Sequence, residues 1–257
     1  DIFIRNPKGI TLTKDGVEFL SYARQVVEQT NLLEERYKSH TETRELFSVS
    51  SQHYAFVVNA FVSLLKRADM TRYELFLRET RTYEIIEDVK NFRSEIGVLF
   101  LNSYNRDVLT KMFDDNRLTY TSLFKARPHI FVSKSNPLAK HEIVSLEDLE
   151  DFPYLSYDQG IHNSFYYSEE ILSQIPHKKS IVVSDRATLF NLLIGLDGYT
   201  IATGILNSNL NGDNIISIPL DIDDEIDIVY LKHEKATLSK MGEQFLENLV
   251  KEVTFDN

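Results

Sequence analysis

Cysteine is absent from all 257 residues, which excludes a disulfide framework, a zinc–thiolate centre, an iron–sulfur cluster and a thiol nucleophile. The absence also fits a reducing compartment. No apolar run approaches the ~20 residues that a helix needs to cross a bilayer. The opening segment, DIFIRNPKG, lacks the basic-then-apolar layout of a secretory signal. The expectation is a cytoplasmic chain with no membrane partner. Glycine and proline are sparse, at 9 and 6 residues, so collagen-like repeats are excluded. Basic charge is in deficit, with 28 Lys and Arg against 39 Asp and Glu for a net charge of −11. Residues 1–45 carry almost none of it (7 basic, 8 acidic), whereas 46–257 hold 21 basic and 31 acidic side chains. A body so acidic repels phosphate backbones and suits a small-molecule receptor better than a nucleic-acid surface. Any DNA contact belongs near the first residues or outside this chain.

Enzyme signatures are missing as well. The seven His residues show no His-x-His, His-x-x-x-His or His-Glu-x-x-His spacing, so no metal site is expected. There is no Gly-x-Ser-x-Gly nucleophile elbow. The segment GLDG has the spacing of neither a P-loop nor a dinucleotide fingerprint. No cofactor and no catalytic residue is expected.

What is present is an ordinary globular composition, 42% apolar and 26% charged, long enough for two domains. Pro7, Lys8 and Gly9 punctuate two short extended pieces, Ile2 to Arg5 and Ile10 to Leu12. Thr13 is a helix N-cap, with Asp15 in the first turn where the dipole favours a carboxylate. No Pro or Gly interrupts Val17 to His40, so a helix is expected to about Ser39. On it Phe19, Ala23, Val26, Thr30, Leu33 and Tyr37 recur at alternating steps of four and three, a heptad seam. Such a seam fits a helix lying on its own chain or a dimerising helix. The second reading explains a prefix that otherwise has little to pack on.

From Leu46 onward strands and helices alternate. LFSVS, YELFLRE and EIGVLFL read as strands, separated by helices over Tyr54 to Arg67 and Tyr83 to Phe92. This pattern implies a parallel sheet with right-handed crossovers. A helix near Val108 to Phe113 leads into a long extended stretch that Pro128 must break, because proline cannot donate to a central ladder. PYLSY, KSIVVSD, YTIAT and NIISIPL form a second set of strands, with helices expected at Ser164 to Gln174 and Ala187 to Leu196. IDIVYLK and a helix from Leu238 to Val253 close the chain. Two α/β lobes follow, lobe I over 46–127 plus 223–257 and lobe II over 128–222, joined by crossings near Ala126–Pro128 and Asp221–Glu225.

Ligands collect beyond the carboxyl ends of strands, where helix N-termini offer free N–H groups. The junctions of this kind hold Ser50, Ser51, Gln52 and His53; Thr80 and Thr82; Asn102; Tyr157; Asp185 and Thr188; and Thr203. Helix capping accounts for each of them singly. Their clustering favours a polar, hydroxyl-lined cleft for a small polar or anionic metabolite. Arg81, Arg127 and Arg186 are candidates to pair an anion, with a surface charge or an interlobe salt bridge as the alternative for each.

FIRNPKGITLTKDGVEFLSYAR resembles the wing and linker-helix start of LysR-type transcriptional regulators, with the Leu-Thr-x-x-Gly pattern at Leu12, Thr13 and Gly16. SEIGVLFL, HIFVSKSNPLA, VSLEDLEDFPYLSY and TLFNLLIGLDGYTIATG resemble successive parts of that family's effector domain, with Asn136 where the family often has His. Thr203 and Gly204 stand where the family frequently has Leu-Pro. The resemblance implies α/β architecture with two Rossmann-like lobes of the periplasmic-binding-protein type II kind, preceded by a wing remnant (1–12) and a dimerisation helix (13–45). It also implies that the DNA-reading helices precede residue 1, and that Arg5, Lys8 and Lys14 of the wing region touch phosphate. A homodimer or homotetramer whose geometry on DNA changes with effector is the corresponding mechanism. A solute-binding receptor of a transporter and a transferase or lyase on a similar fold are the rivals.

Overall fold

The computed structural model describes residues 1–7, 9–38, 45–67, 72–206 and 212–254, and divides into two compact units, Asp1–Arg44 and Glu45–Asn257. In the first unit β1 (Phe3–Asn6) and β2 (Gly9–Leu12) pair antiparallel, Phe3 opposite Leu12 and Asn6 opposite Gly9. Gly9 has φ of 128°, which explains why glycine closes this hairpin. Helix α1 (Lys14–Lys38) starts as expected. The Thr13 hydroxyl accepts the Gly16 N–H at 2.8 Å and donates to the Asp1 carbonyl at 2.7 Å. A Cβ on Gly16 would lie 2.1 Å from the Ile2 carbonyl oxygen, so the glycine of the Leu-Thr-x-x-Gly pattern lets the chain start pack on the helix. Along the seam Phe19, Val26 and Leu33 are more than half exposed. Thr30 bonds its hydroxyl back to the Val26 carbonyl at 2.9 Å, so its polar group is satisfied on that face. Lys8, the helix end at Ser39 and the Tyr37 side chain lie outside the described residues.

The second unit begins with β3 (Glu45–Ser51), α2 (Ala55–Arg67), β4 (Tyr73–Glu79), α3 (Thr82–Lys90), β5 (Ile96–Leu101), α4 (Arg106–Asp115) and β6 (Leu118–Ala126). The chain then builds β7 (His129–Ser133), β8 (Tyr154–Tyr157), β9 (Ser180–Val183), α5 (Arg186–Leu196), β10 (Thr200–Ala202) and β11 (Ile215–Pro219). It returns with β12 (Ile226–His233) and the last helix, α6 (Lys240–Thr254). One sheet has the order β4-β3-β5-β12-β6, the other β10-β7-β11, and β8 pairs with β9. A parallel bridge between Tyr154 and Tyr199 ties the β8–β9 pair to the chain entering β10. Pro128 falls between β6 and β7, and its carbonyl accepts the Leu220 N–H at 3.0 Å, so the outgoing and returning strands are pinned together there.

The parallel expectation holds only in part. β3 runs parallel to β4 and β5, as the crossover helices α2 and α3 require. β12 is antiparallel to both β5 and β6, because it enters from the other sheet rather than through a crossover helix. The β10-β7-β11 sheet is antiparallel throughout. The helix expected over Ser164 to Gln174 is likewise corrected. A 3-10 turn at Phe165–Tyr167 is followed by turns, and Leu172 takes φ of 60°. Glu169, Glu170 and Ile171 are buried in succession, which a helix cannot do on one face because neighbours diverge by about 100°. The VSLEDLEDF segment forms a 3-10 turn, Glu147–Leu149.

The core explains why β5 reads as an unbroken apolar run. All of β5 is buried, with Val98 and Phe100 facing one cluster while Leu99 and Leu101 face another with Ile85, Ile86 and Val89 of α3. Phe245 of α6 packs against Phe47 and Phe61 at ring distances of 5.6 and 6.4 Å, locking the last helix over the first strand and α2.

Candidate functional site

A chamber opens between the two sheets. One wall comes from the β3–α2 junction (His53, Tyr54, Ala55, Phe56), Phe100 of β5 and Ile226 of β12. The other comes from Phe131 of β7, Tyr157 at the end of β8, Arg186, Leu189 and Phe190 of α5, and Thr200 to Thr203 at and beyond β10. Glu169, Glu170 and Ile171 line it from the connection after β8. The strand-end placement matches the sequence expectation, but the lining is largely aromatic and aliphatic.

His53 is the polar hinge of this chamber. Its ring lies parallel to that of Tyr157, 4.0 Å between centroids, and its Nδ1 and backbone N–H sit 2.8 and 2.9 Å from one oxygen of Glu169. Burial works against a charged imidazole, yet the Glu169 hydrogen bond and charge outweigh it and raise the His53 pKa. The other Glu169 oxygen accepts from Gln159 Nε2 at 3.0 Å. Glu170 accepts the Tyr157 N–H at 2.9 Å, and burial together with Glu169 pushes its pKa well above the usual carboxylate range. Burial also pushes the phenols of Tyr54 and Tyr157 upward.

A belt of polar and aromatic contacts closes the chamber's flank. Arg186 at the start of α5 meets Glu79 at the end of β4, Nε to Oε1 at 3.1 Å. Arg81 reaches the Asp158 carboxylate at 2.6 Å and the Asp158 carbonyl at 3.1 Å. The Gly160 N–H, followed by Arg81, holds the Asp158 carboxyl below its ordinary range. His162 stacks on Tyr83 at 3.5 Å and Tyr166 on Tyr104 at 4.8 Å. Arg81 and Arg186 thus serve the interlobe ion pairs named as their alternative role.

Of the expected ligand residues, His53, Tyr157 and Thr203 line the chamber. The rest do not. Ser50 bonds Asp88 and Ser94, each at 2.7 Å, in the interior behind β3. Gln52 is fully buried, donating to Thr82 at 2.6 Å and accepting from the Tyr54 hydroxyl and the Phe100 N–H. The Thr82 backbone N–H also donates to the Gln159 side chain at 3.2 Å. Ser51 is buried beside them. Thr80 bonds Glu84 on the surface. Asn102 folds its own turn through Asn105 and Tyr104 and reaches Asp224 at 3.1 Å. Asp185 caps α5 by accepting from the Thr188 N–H at 2.8 Å and hydroxyl at 2.7 Å. Caps and core networks therefore engage most of the expected junction hydroxyls, and those in the lining belong to Tyr54, Tyr157, Thr200 and Thr203. Sequence reasoning passed over Glu169, Glu170, Tyr54 and Phe56, since an acidic pair in an expected helix reads as a solvated face and aromatics read as core. Among the described residues no group of three or more His, Cys, Asp or Glu side chains is placed to hold a metal ion.

Comparison with known proteins agrees with this architecture. Nothing among curated proteins matches the chain. Among solved structures, an OxyR mutant from Corynebacterium glutamicum superposes with a TM-score of 0.60 at 14% identity, over 99% of this chain and 78% of that one. A full-length BenM mutant gives 0.58 at 17% identity, over 100% and 83%. The effector binding domain of QuiR in complex with shikimate gives 0.54 at 15%, over 81% and 97%. They share the two-lobed fold of the periplasmic-binding-protein type II kind, and a transporter receptor finds no support among them. The LysR substrate binding domain family matches residues 50–254. The chain therefore belongs to that family and carries the effector-binding domain of a LysR-family transcriptional regulator.

Proposed function

We propose that this chain senses a small molecule in the chamber between its lobes and passes the result to DNA through its oligomeric state. The lobes are lobe I over 46–127 plus 223–257 and lobe II over 128–222, following the two passages of the chain between the sheets. The observation that carries the reading is the chamber itself, where His53, Tyr157 and Thr203 arrive from separate strand ends. A ligand that prefers one closure of the lobes shifts their populations by its differential affinity and no more. The exposed seam of α1 supports pairing of chains through that helix, and Arg5 and Lys14 are candidates to hold phosphate without reading sequence. The family and its neighbours are regulators, which favours a non-enzymatic, cytoplasmic role. Among the described residues no helix is long and apolar enough to cross a membrane.

The test is a thermal-shift screen of a metabolite panel against the wild-type chain and an Ala202→Trp variant that fills the chamber. A ligand at 100 times its Kd stabilises by about 2.7 kcal/mol. A compound that raises the melting temperature of the wild type but not of the variant supports the reading. An equal response of both, or none from the wild type across the panel, sinks it.

A further inference from the structure

The charges of the chamber run against the anionic occupant expected from the sequence. Its arginine, Arg186, is engaged by Glu79, and its histidine by Glu169. What remains is Glu170, 3% exposed, one of whose oxygens has no hydrogen-bond partner among the described residues. An acceptor enclosed this way is costly until a donor reaches it. The same chamber is lined by the rings of Phe56, Phe100, Phe131 and Tyr54, which can lie against the apolar body of a ligand. A chain of net charge −11 also draws cations toward its clefts.

We propose that the chamber takes a small organic cation, a primary amine or amidine with an apolar body, whose N–H groups bond Glu170 while the body lies against Phe56, Phe100 and Phe131. This rests on the effector reading above and names the chemical class of the effector. The ionisable groups that interact with Glu170 are Glu169, Tyr54, Tyr154 and Tyr157; Glu169 repels an anion, and none of the four carries positive charge. Burial and Glu169 raise the Glu170 pKa, and an arriving ammonium group works the other way, favouring the carboxylate as the ion pair forms.

Calorimetric titration of the whole chain with benzylamine, benzyl alcohol and benzoate at neutral pH tests this. Benzylamine is expected to bind at least ~10-fold more tightly than the other two, the worth of one charge-assisted hydrogen bond. Glu170→Gln should weaken benzylamine by a similar factor. Should that variant disturb the fold, the wild type alone suffices: benzylamine must bind more tightly than benzyl alcohol, which has the same ring and no charge. Tighter benzoate binding or equal affinity for all three overturns the cation class while leaving the chamber a ligand site. No binding by any probe, with Glu170 satisfied by a buried water instead, also overturns it, and the metabolite-panel screen decides the effector reading separately.

Discussion

Ser50 at the end of β3 and His53 in the turn after it stand three positions apart, and their surroundings separate their roles. Ser50 faces the α3 side of the sheet, where Asp88 and Ser94 complete its hydrogen bonds, whereas His53 faces the chamber and is held by Glu169. The titrating groups around the chamber set a pH dependence. His53 has its pKa raised above 6.5, so the stability it contributes is complete below 6.5 and is lost as pH rises through the raised value. Glu170, raised well above 4.5, acts in the same direction: its contribution is complete below 4.5 and declines as pH climbs toward its folded value. Asp158, lowered, opposes them only on the acid side, where its contribution is lost as pH falls. The melting temperature should therefore decline as pH rises above the ordinary carboxylate range, and Glu170→Gln should flatten that decline by supplying a permanently neutral side chain. A scan of melting temperature against pH for both proteins checks this, and coincident slopes would refute it.

At the scale of elements, α1 and the connection after β8 show local rules succeeding and failing. The cap at Thr13, the uninterrupted run after it and the heptad spacing are all short-range, and α1 begins where they place it. The 158–171 connection is decided by partners far away in sequence: Arg81 on Asp158, Gln52 and Thr82 by way of Gln159, and His53 on Glu169. Its aromatic and acidic residues therefore read as a helix although they form an irregular strap, buried at Gln159 and at Glu169 to Ile171. For α1 the exposed seam sets the prediction. Val26→Asp places a charge where two chains would meet, and burying it unpaired is unfavourable, so the variant should shift toward monomer. Light scattering behind size exclusion measures this. An unchanged assembly would remove α1 from the interface.

The whole effector unit has its two sheets held by a flank of ion pairs and stacked rings and its chamber lined by apolar walls. That division sets how readily the lobes separate. Arg81 and Asp158 are each over a third exposed. Their pair is worth no more than about 1 kcal/mol, and losing it shifts an equilibrium about five-fold. Arg81→Ala should broaden the distribution of distances between the lobes without unfolding them. Because the chain has no native cysteine, a single introduced pair can carry spectroscopic labels to measure it. An unaltered distribution would mean that the closure rests on the apolar walls alone.

The order of the elements apart from the helix expected over Ser164 to Gln174, the break at Pro128, the cap of α1 and the alternation that betrays two α/β lobes are legible in the amino-acid pattern, because periodicity, capping and proline chemistry act within a few residues. The direction of β12, the fate of each junction hydroxyl and the position of the Glu169–Glu170 pair are not. Each depends on a contact between residues remote in sequence, as with His53 and Glu169, so only the packed chain decides which polar groups face the core and which face the chamber.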